Sequence, residues 1–190
     1  MGLSVYLFLC LLAAVGVLRL VELRVSRRNF RRMLSAGAVP VPEPHFKWIV
    51  LIHTGVLIGA ALEVIFLKRP FIPWLAAIMF VLFIASNLLR LWVVLALGRL
   101  WSVNVMDSGQ IGIVTTGPFR FVRHPNYSGV VLEVISLPLI HTAWMTAVAA
   151  AVGYCYALSR RVPAEEKVLM ANPEYRAAMG NKPRFLPGLF

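Results

Sequence analysis

Apolar positions along this chain fall into long runs and show no strand-like alternation. They cover residues 3–20, 48–67, 71–97 and 128–158. Runs of this length with few charges read as membrane-crossing helices. The first run has no Lys or Arg before it. Arg19 and Glu22 close it, and no Ala-x-Ala cleavage pattern follows. It therefore reads as a retained helix and not a signal peptide. The fourth run is too long for one crossing, since as a helix it would span about 46 Å against a hydrocarbon core of about 30 Å. Pro138, followed by Ile140, His141 and Thr142, offers a break. The expected architecture is an all-α integral membrane protein of about five helices, the last two forming a hairpin. One long bent helix over 128–158 is the alternative.

Charge orients this bundle. The chain carries 19 Lys+Arg against 8 Asp+Glu, a net charge of +11, with 59% hydrophobic and 14% charged residues. Soluble domains average about 45–50% and 25%. That balance excludes a disordered tail and an ordinary soluble enzyme. It also argues against a nucleic-acid partner, because the cations sit between apolar runs. Arg24, Arg27, Arg28, Arg31, Arg32 and Lys47 lie after the first run, and Arg99, Arg120 and Arg123 after the third. Arg160, Arg161, Lys167, Arg176, Lys182 and Arg184 fill the tail. The positive-inside rule places all three groups in the cytoplasm, with the N-terminus outside, as in a bacterial inner membrane. This solution needs an even number of crossings between Arg123 and Arg160, which the hairpin supplies. Lys68 and Arg69 are then a minor exception in an outer loop. Pro40, Pro42 and Pro44 make the end of the first cytoplasmic loop extended. The arginines before them either grip anionic headgroups, at about 1 kcal/mol per cation, or act only as a topology signal. The whole chain, 1–190, reads as one domain, with helices one to three in 1–97 and a cofactor-binding half in 98–190.

Few polar residues interrupt the runs. Arg19 and Glu22 can pair across one helix face, as can Asn87 and Arg90. His53 and Glu63 sit on the second helix. Glu133 follows the polar motif below by about one and a half turns, which makes it a candidate substrate contact. Cys10 and Cys155 lie in apolar runs, far from any metal-like spacing, and read as buried packing thiols.

The chemistry concentrates in residues 109–127, G-Q-I-G-I-V-T-T-G-P-F-R-F-V-R-H-P-N-Y. Thr115-Thr116-Gly117-Pro118 is a turn signature. Pro125 pushes His124 out of the α region, so the chain arrives extended and a helix starts at the membrane surface. The free N–H groups of that helix end favour an anion such as a carboxylate. Arg123, His124 and Tyr127 add charge and hydrogen bonds there. Arg161, Glu165 and Glu166 form a second polar cluster where the last helix leaves the membrane, and the hairpin returns it to the same edge. An anion-holding helix end beside paired carboxylates suits a zwitterionic or cationic cofactor.

The string T-T-G-P-F-R-F-V-R-H-P-N-Y-S-G, then R-V-P-A-E-E-K-V-L, P-E-Y-R-A and R-F-L-P-G, resembles the isoprenylcysteine carboxyl methyltransferase family. The resemblance covers roughly Trp101 to the C-terminus. The N-terminal half is similar to the small bacterial branch, associated with O-methylation of lipid-like acids or polyketide-derived pyrones. It implies a membrane-embedded methyltransferase using S-adenosylmethionine. It implies a cofactor site of His124, Pro125, Asn126 and Tyr127, with Arg123, Phe119 and the backbone from Ile111 through Gly112 and Ile113 to Val114. Glu165 and Glu166 would close the other side, Asn104 would make a polar contact, and Arg161 would meet the acceptor carboxylate. Phe119 replaces a frequent Tyr and Asn104 a Gln. Pro163, between Arg161 and Glu165, is positioned to start a new helical segment.

A carboxylate attacking a sulfonium neutralises charge, so a desolvated site favours the reaction. A carboxylate acceptor needs no base. For an enol or hydroxyl, His124 or a glutamate is the candidate base. The expected acceptor is lipophilic and enters from the bilayer, among membrane lipids. The competing classes are a phospholipid N-methyltransferase, an NADPH-dependent membrane reductase of steroid-reductase type, and a non-catalytic scaffold. The reductases tend to place Glu after the Gly of H-P-N-Y-x-G, where this chain has Val130.

Overall fold

The structure is a computed structural model and describes residues 2–41, 46–107 and 112–185. Within these residues run helices α1 (Leu3–Ser35), α2 (Phe46–Phe66), α3 (Pro73–Leu97), α4 (Pro125–Leu139), α5 (Trp144–Leu169) and α6 (Pro173–Met179). Two short strands, β1 (Val39–Pro40) and β2 (Met106–Asp107), pair antiparallel. Pro40 is thus extended, as expected; Pro42 and Pro44 lie outside the described residues. The helices of the first three runs are long and apolar enough to cross a membrane by length and composition. Leu7, Val17, Leu51, Trp74, Val81 and Leu95 stand exposed on their outer faces. Water disfavours so much open apolar surface and lipid does not.

The fourth run is a hairpin of two helices and not one bent helix. α4 ends just after Pro138, and Thr142 turns the chain at φ +54°. The Thr142 hydroxyl donates to the Pro70 carbonyl at 2.6 Å. α5 lacks a cap of its own, and Glu63 from α2 provides one. Its carboxylate accepts from the Met145 and Thr146 amides at 3.1 and 2.8 Å and from Arg69 Nε at 2.9 Å. The orphan amides and positive dipole end of α5 are thereby satisfied.

Three sequence expectations change. α1 does not stop near residue 20; its 33 residues extend about 50 Å, well past the hydrocarbon core. The extension is held by a small polar seam and by Met33 and Phe30, which pack with Ala38, Leu100 and Met106. Asn29 Nδ2 donates to the Trp101 carbonyl at 2.9 Å, and Ser26 Oγ accepts from the Val103 amide at 3.0 Å. Pro163 does not restart a helix, because α5 runs through it. Pro163 and Ser159 are both exposed, so the carbonyl left without its amide partner faces outward. Cys10 and Cys155 are exposed and not buried. In a membrane protein an apolar residue can satisfy its chemistry against lipid as readily as in the core.

α4 is the centre of the packing. Val130, Val134 and Leu137 meet Phe83, Val56 and Tyr154 in the core. At Gly129 a Cβ would come within 2.9 Å of Arg90 Cγ and 3.4 Å of the Ser86 carbonyl oxygen, so α3 and α4 approach closely there. Beside this contact lies a buried ionic cluster. Arg19 pairs with Glu22 and, at 2.8 Å, with Glu133. Arg90 reaches Glu133 at 2.6 Å and Glu22 at 2.9 Å. Two cations and two carboxylates thus join α1, α3 and α4.

Candidate active site

The site begins where α4 begins. Pro125 occupies the first helical position, where its missing N–H costs nothing. The amides of Arg123 and His124 donate to the carbonyls of Pro183 and Arg184, each at 2.9 Å. Ser128 Oγ donates to the Phe185 carbonyl at 3.0 Å. Residues 183–185 therefore strap the entry to α4. Gly117, at φ +61°, turns the preceding loop against α3; a Cβ there would meet Ala96 Cβ at 2.9 Å.

The adjacent glutamates diverge. Glu165 accepts a hydrogen bond from the Tyr127 hydroxyl. Glu166 is buried and receives His124 Nε2 at 3.1 Å and Arg184 Nη2 at 2.7 Å, with Arg123 Nη1 at 3.4 Å. Burial alone would raise the Glu166 carboxyl. The hydrogen bonds from Arg184 and His124 and the charge of Arg123 outweigh it and hold its pKa below the usual range. Glu166 lies past the apolar stretch of α5, at the polar edge. A depressed native pKa adds stability at neutral pH. That stability is complete above the unfolded value of about 4.3 and drains away as pH falls through the lower native one. The melting temperature should therefore drop as pH falls below about 4.3, and Glu166→Gln should melt lower at pH 7 with a flatter acid limb. Thermal unfolding from about pH 7 down to about pH 2.5 checks both.

One cavity of about 480 Å³ joins the two polar clusters to the bundle interior. Asn104, Gly112, Ile113, Val114 and Phe119 line it, as do Arg123, His124, Pro125, Asn126, Tyr127, Arg161 and Glu165. Arg161 Nη2 donates to the Val103 carbonyl at 2.7 Å, and its guanidinium lies 5.6 Å over the Tyr127 ring. Arg161 and Glu165 share the cavity face of α5, one turn apart. Glu166 is not among the lining residues, being held by His124 and the two arginines. Glu133 is not among them either, and Arg19 and Arg90 occupy both its oxygens. Ile111 lies outside the described residues.

Sequence reasoning missed the rest of the wall. Gly16, Leu20 and Leu23 of α1, His53 and Leu57 of α2, and Val93 and Leu97 of α3 stand there beside Arg19, Glu22 and Arg90, charged residues the sequence already marked. Tyr154, Asn172 and Tyr175 add polar atoms. Burial, with Glu165 nearby, pushes the Tyr175 phenol up to about 12, so it stays a neutral hydroxyl. No local motif marks the remaining positions; of them only His53, polar inside an apolar helix, carried a signal.

Comparisons with known proteins bear on this arrangement. The isoprenylcysteine carboxyl methyltransferase family model matches residues 77–171. YpbQ of Bacillus subtilis is 29% identical over 164 residues, covering 86% of this chain and 96% of its own. A Haemophilus influenzae protein is 25% identical over 163 residues, covering 85% and 92%. Among solved structures, the eukaryotic intramembrane Ras methyltransferase, isoprenylcysteine carboxyl methyltransferase, matches with a TM-score of 0.57 and 22% identity. The match covers 75% of this chain and 54% of that one, so the chain spans about half that enzyme's length. The family match takes in α3, α4, α5 and the cavity motif between them, and on it the chain belongs to the isoprenylcysteine carboxyl methyltransferase family of membrane methyltransferases.

Proposed function

We propose that the protein transfers a methyl group from S-adenosylmethionine to a carboxylate or enol oxygen of a lipophilic, isoprenoid or polyketide-like acceptor. The observation that carries this reading is one cavity, among the described residues, that joins the polar α4–α5 edge to the leucine- and valine-lined walls of α1, α2 and α3, with Arg19, Glu22 and Arg90 also on those walls. Its donor set suits a zwitterionic sulfonium. Arg123, His124 and the α4 N-terminus favour a carboxylate, Glu165 an ammonium, and Phe119 and Tyr175 offer aromatic faces. Bound there, S-adenosylmethionine would supply an activated methyl group.

The chain's own residues do the remaining work. Tyr127 orients Glu165 through its hydroxyl. Glu166 holds His124 in place. Arg161 aims positive charge at the acceptor oxygen, and the apolar wall excludes water from the reacting atoms. The polar edge faces the cytoplasm in this reading, with the N-terminus outside, five crossings and the acceptor entering from the bilayer.

Purified protein in detergent should bind S-adenosylmethionine in the micromolar range typical of enzyme substrates. Calorimetry that finds no such binding, together with NADPH binding, overturns the reading. Glu165→Ala should weaken this binding by about 10-fold or more, the loss of one charge-assisted contact. Titration of the variant checks it.

A further inference from the structure

The walls of the cavity are unequally covered. Among the described residues that line it, only Leu20 on α1 and Val50, Thr54 and Ile58 on α2 are exposed, Leu20 at 60% and Ile58 at 55%. Val50, Thr54 and Ile58 recur every four residues, so they form one stripe about 12 Å long. Thr54 Oγ1 donates to the Val50 carbonyl at 2.9 Å, so its hydroxyl is satisfied within the helix and asks nothing of a ligand. The opening framed by these side chains is a slot between α1 and α2.

The slot has two distinct ends. At one, a Cβ on Gly16 would meet Leu57 Cδ1 at 3.7 Å, and Leu12, Val15, Val56 and Ala60 close into the core. At the other, exposed cations continue the same helix faces: Arg27 follows Leu23 by one turn, and Lys47 precedes Val50 by about one turn. Cations at a helix end sit at headgroup level, so the slot lies in the cytoplasmic leaflet of the orientation proposed above. Both helices lie outside residues 77–171, the stretch that the family model matches.

Behind the slot the wall changes character. Arg19, Glu22 and Arg90 line the chamber there and are paired with one another. Hydrocarbon gains little against an ionic wall. The chamber's volume of about 480 Å³ is that of an ordinary small-ligand site, and in the reading above it also takes S-adenosylmethionine. A tail laid in the slot instead has apolar side chains on both flanks and lipid beyond them.

We infer that the acceptor's hydrocarbon tail is not enclosed by the protein. It leaves the chamber through the α1–α2 slot and lies in the cytoplasmic leaflet, so the site selects the polar head and sets no upper limit on tail length. A closed pocket measures a tail, because methylenes beyond its floor overpack it. In an open slot each added methylene exchanges one lipid neighbour for another. This rests on the methyltransferase reading only in treating the cavity as the acceptor's chamber.

The test is photolabelling of the full chain in phosphatidylcholine nanodiscs with palmitic acid carrying a mid-chain diazirine, the adducts being located by mass spectrometry. Adducts on Leu20, Val50, Thr54 and Ile58 should exceed those on the outward-facing Val81 of α3 and Val148 of α5 by about 10-fold. Unlabelled lauric, palmitic and arachidic acids, at equal mole fraction in the bilayer, should compete within about 3-fold of one another, where a closed pocket would separate them by about 10-fold or more. Leu20→Trp combined with Thr54→Trp fills the slot and should remove the enrichment. Both positions are exposed, so the added bulk meets lipid and not core, and thermal unfolding in the same nanodiscs reports the fold. If the double variant melts early, Thr54→Trp alone decides. Adducts spread evenly over the outer faces, enrichment between another pair of helices, or enrichment that survives the filled slot overturns the inference. Enrichment that excess palmitic acid does not displace marks bulk lipid in the slot and overturns it too, as does a sharp optimum at one chain length. Titration with S-adenosylmethionine separates the two ideas. Its binding without slot labelling sinks the slot alone; slot labelling without it sinks the methyltransferase reading alone.

Discussion

Arg161→Ala is expected to lower the rate of methyl transfer by about 10²–10³-fold while leaving S-adenosylmethionine binding within a few-fold of native. The magnitude is that of removing one preorganised electrostatic contact at a reacting oxygen. The guanidinium is held on two sides, by the Val103 carbonyl at 2.7 Å and by the Tyr127 ring. It cannot swing away when the site fills, which is what preorganisation requires. Arg161→Lys keeps the charge but loses the planar fork, and should recover only part of the rate. Single-turnover transfer of a labelled methyl group, set beside calorimetric binding, reads the two effects separately. Equal loss of both in Arg161→Ala would move Arg161 from the acceptor to the cofactor.

Glu133→Ala should lower stability by about 3–5 kcal/mol, the usual cost of removing one partner from a buried ion pair. Its carboxylate is 2.8 Å from Arg19 and 2.6 Å from Arg90, and only Glu22 would remain to serve the half-buried Arg19 and the buried Arg90. In a chain of this size that loss corresponds to a fall in melting temperature on the order of 10 °C. Glu133→Gln should fare little better, since an amide cannot offset either charge. Thermal unfolding in detergent measures both. A substrate-binding Glu133 would instead give a protein of native stability and poor acceptor affinity.

Legibility in the sequence follows the range of the interaction. The α4–α5 break was readable because Pro138 and the length of the fourth run are local facts. The start of α4 was readable because Pro125 constrains His124 whatever surrounds it. The far end of α1 was not, because Ser26 and Asn29 act through residues 98–103, mostly through their backbone groups. The two carboxylates of the E-E pair could not be told apart either. Neighbours on a helix point about 100° apart. Which one faces the cavity depends on where Arg123, His124 and Arg184 stand.

By itself the sequence determined the class of this protein. Long apolar runs, cations between them and an ordered motif from Thr115 to Tyr127 specify a helical membrane protein and mark one edge of it as the candidate site. These are properties of the chain's local pattern and of its solvent. Only the tertiary structure decided how the charges divide. It confines Glu133 to an ion cluster and Glu166 to a clamp on His124, and it leaves Glu165 and Arg161 on the cavity wall. It also opens that cavity toward His53 and Tyr154. The reason is that a buried charge takes its role from the partners within about 3 Å, and those partners come from helices far apart in the chain.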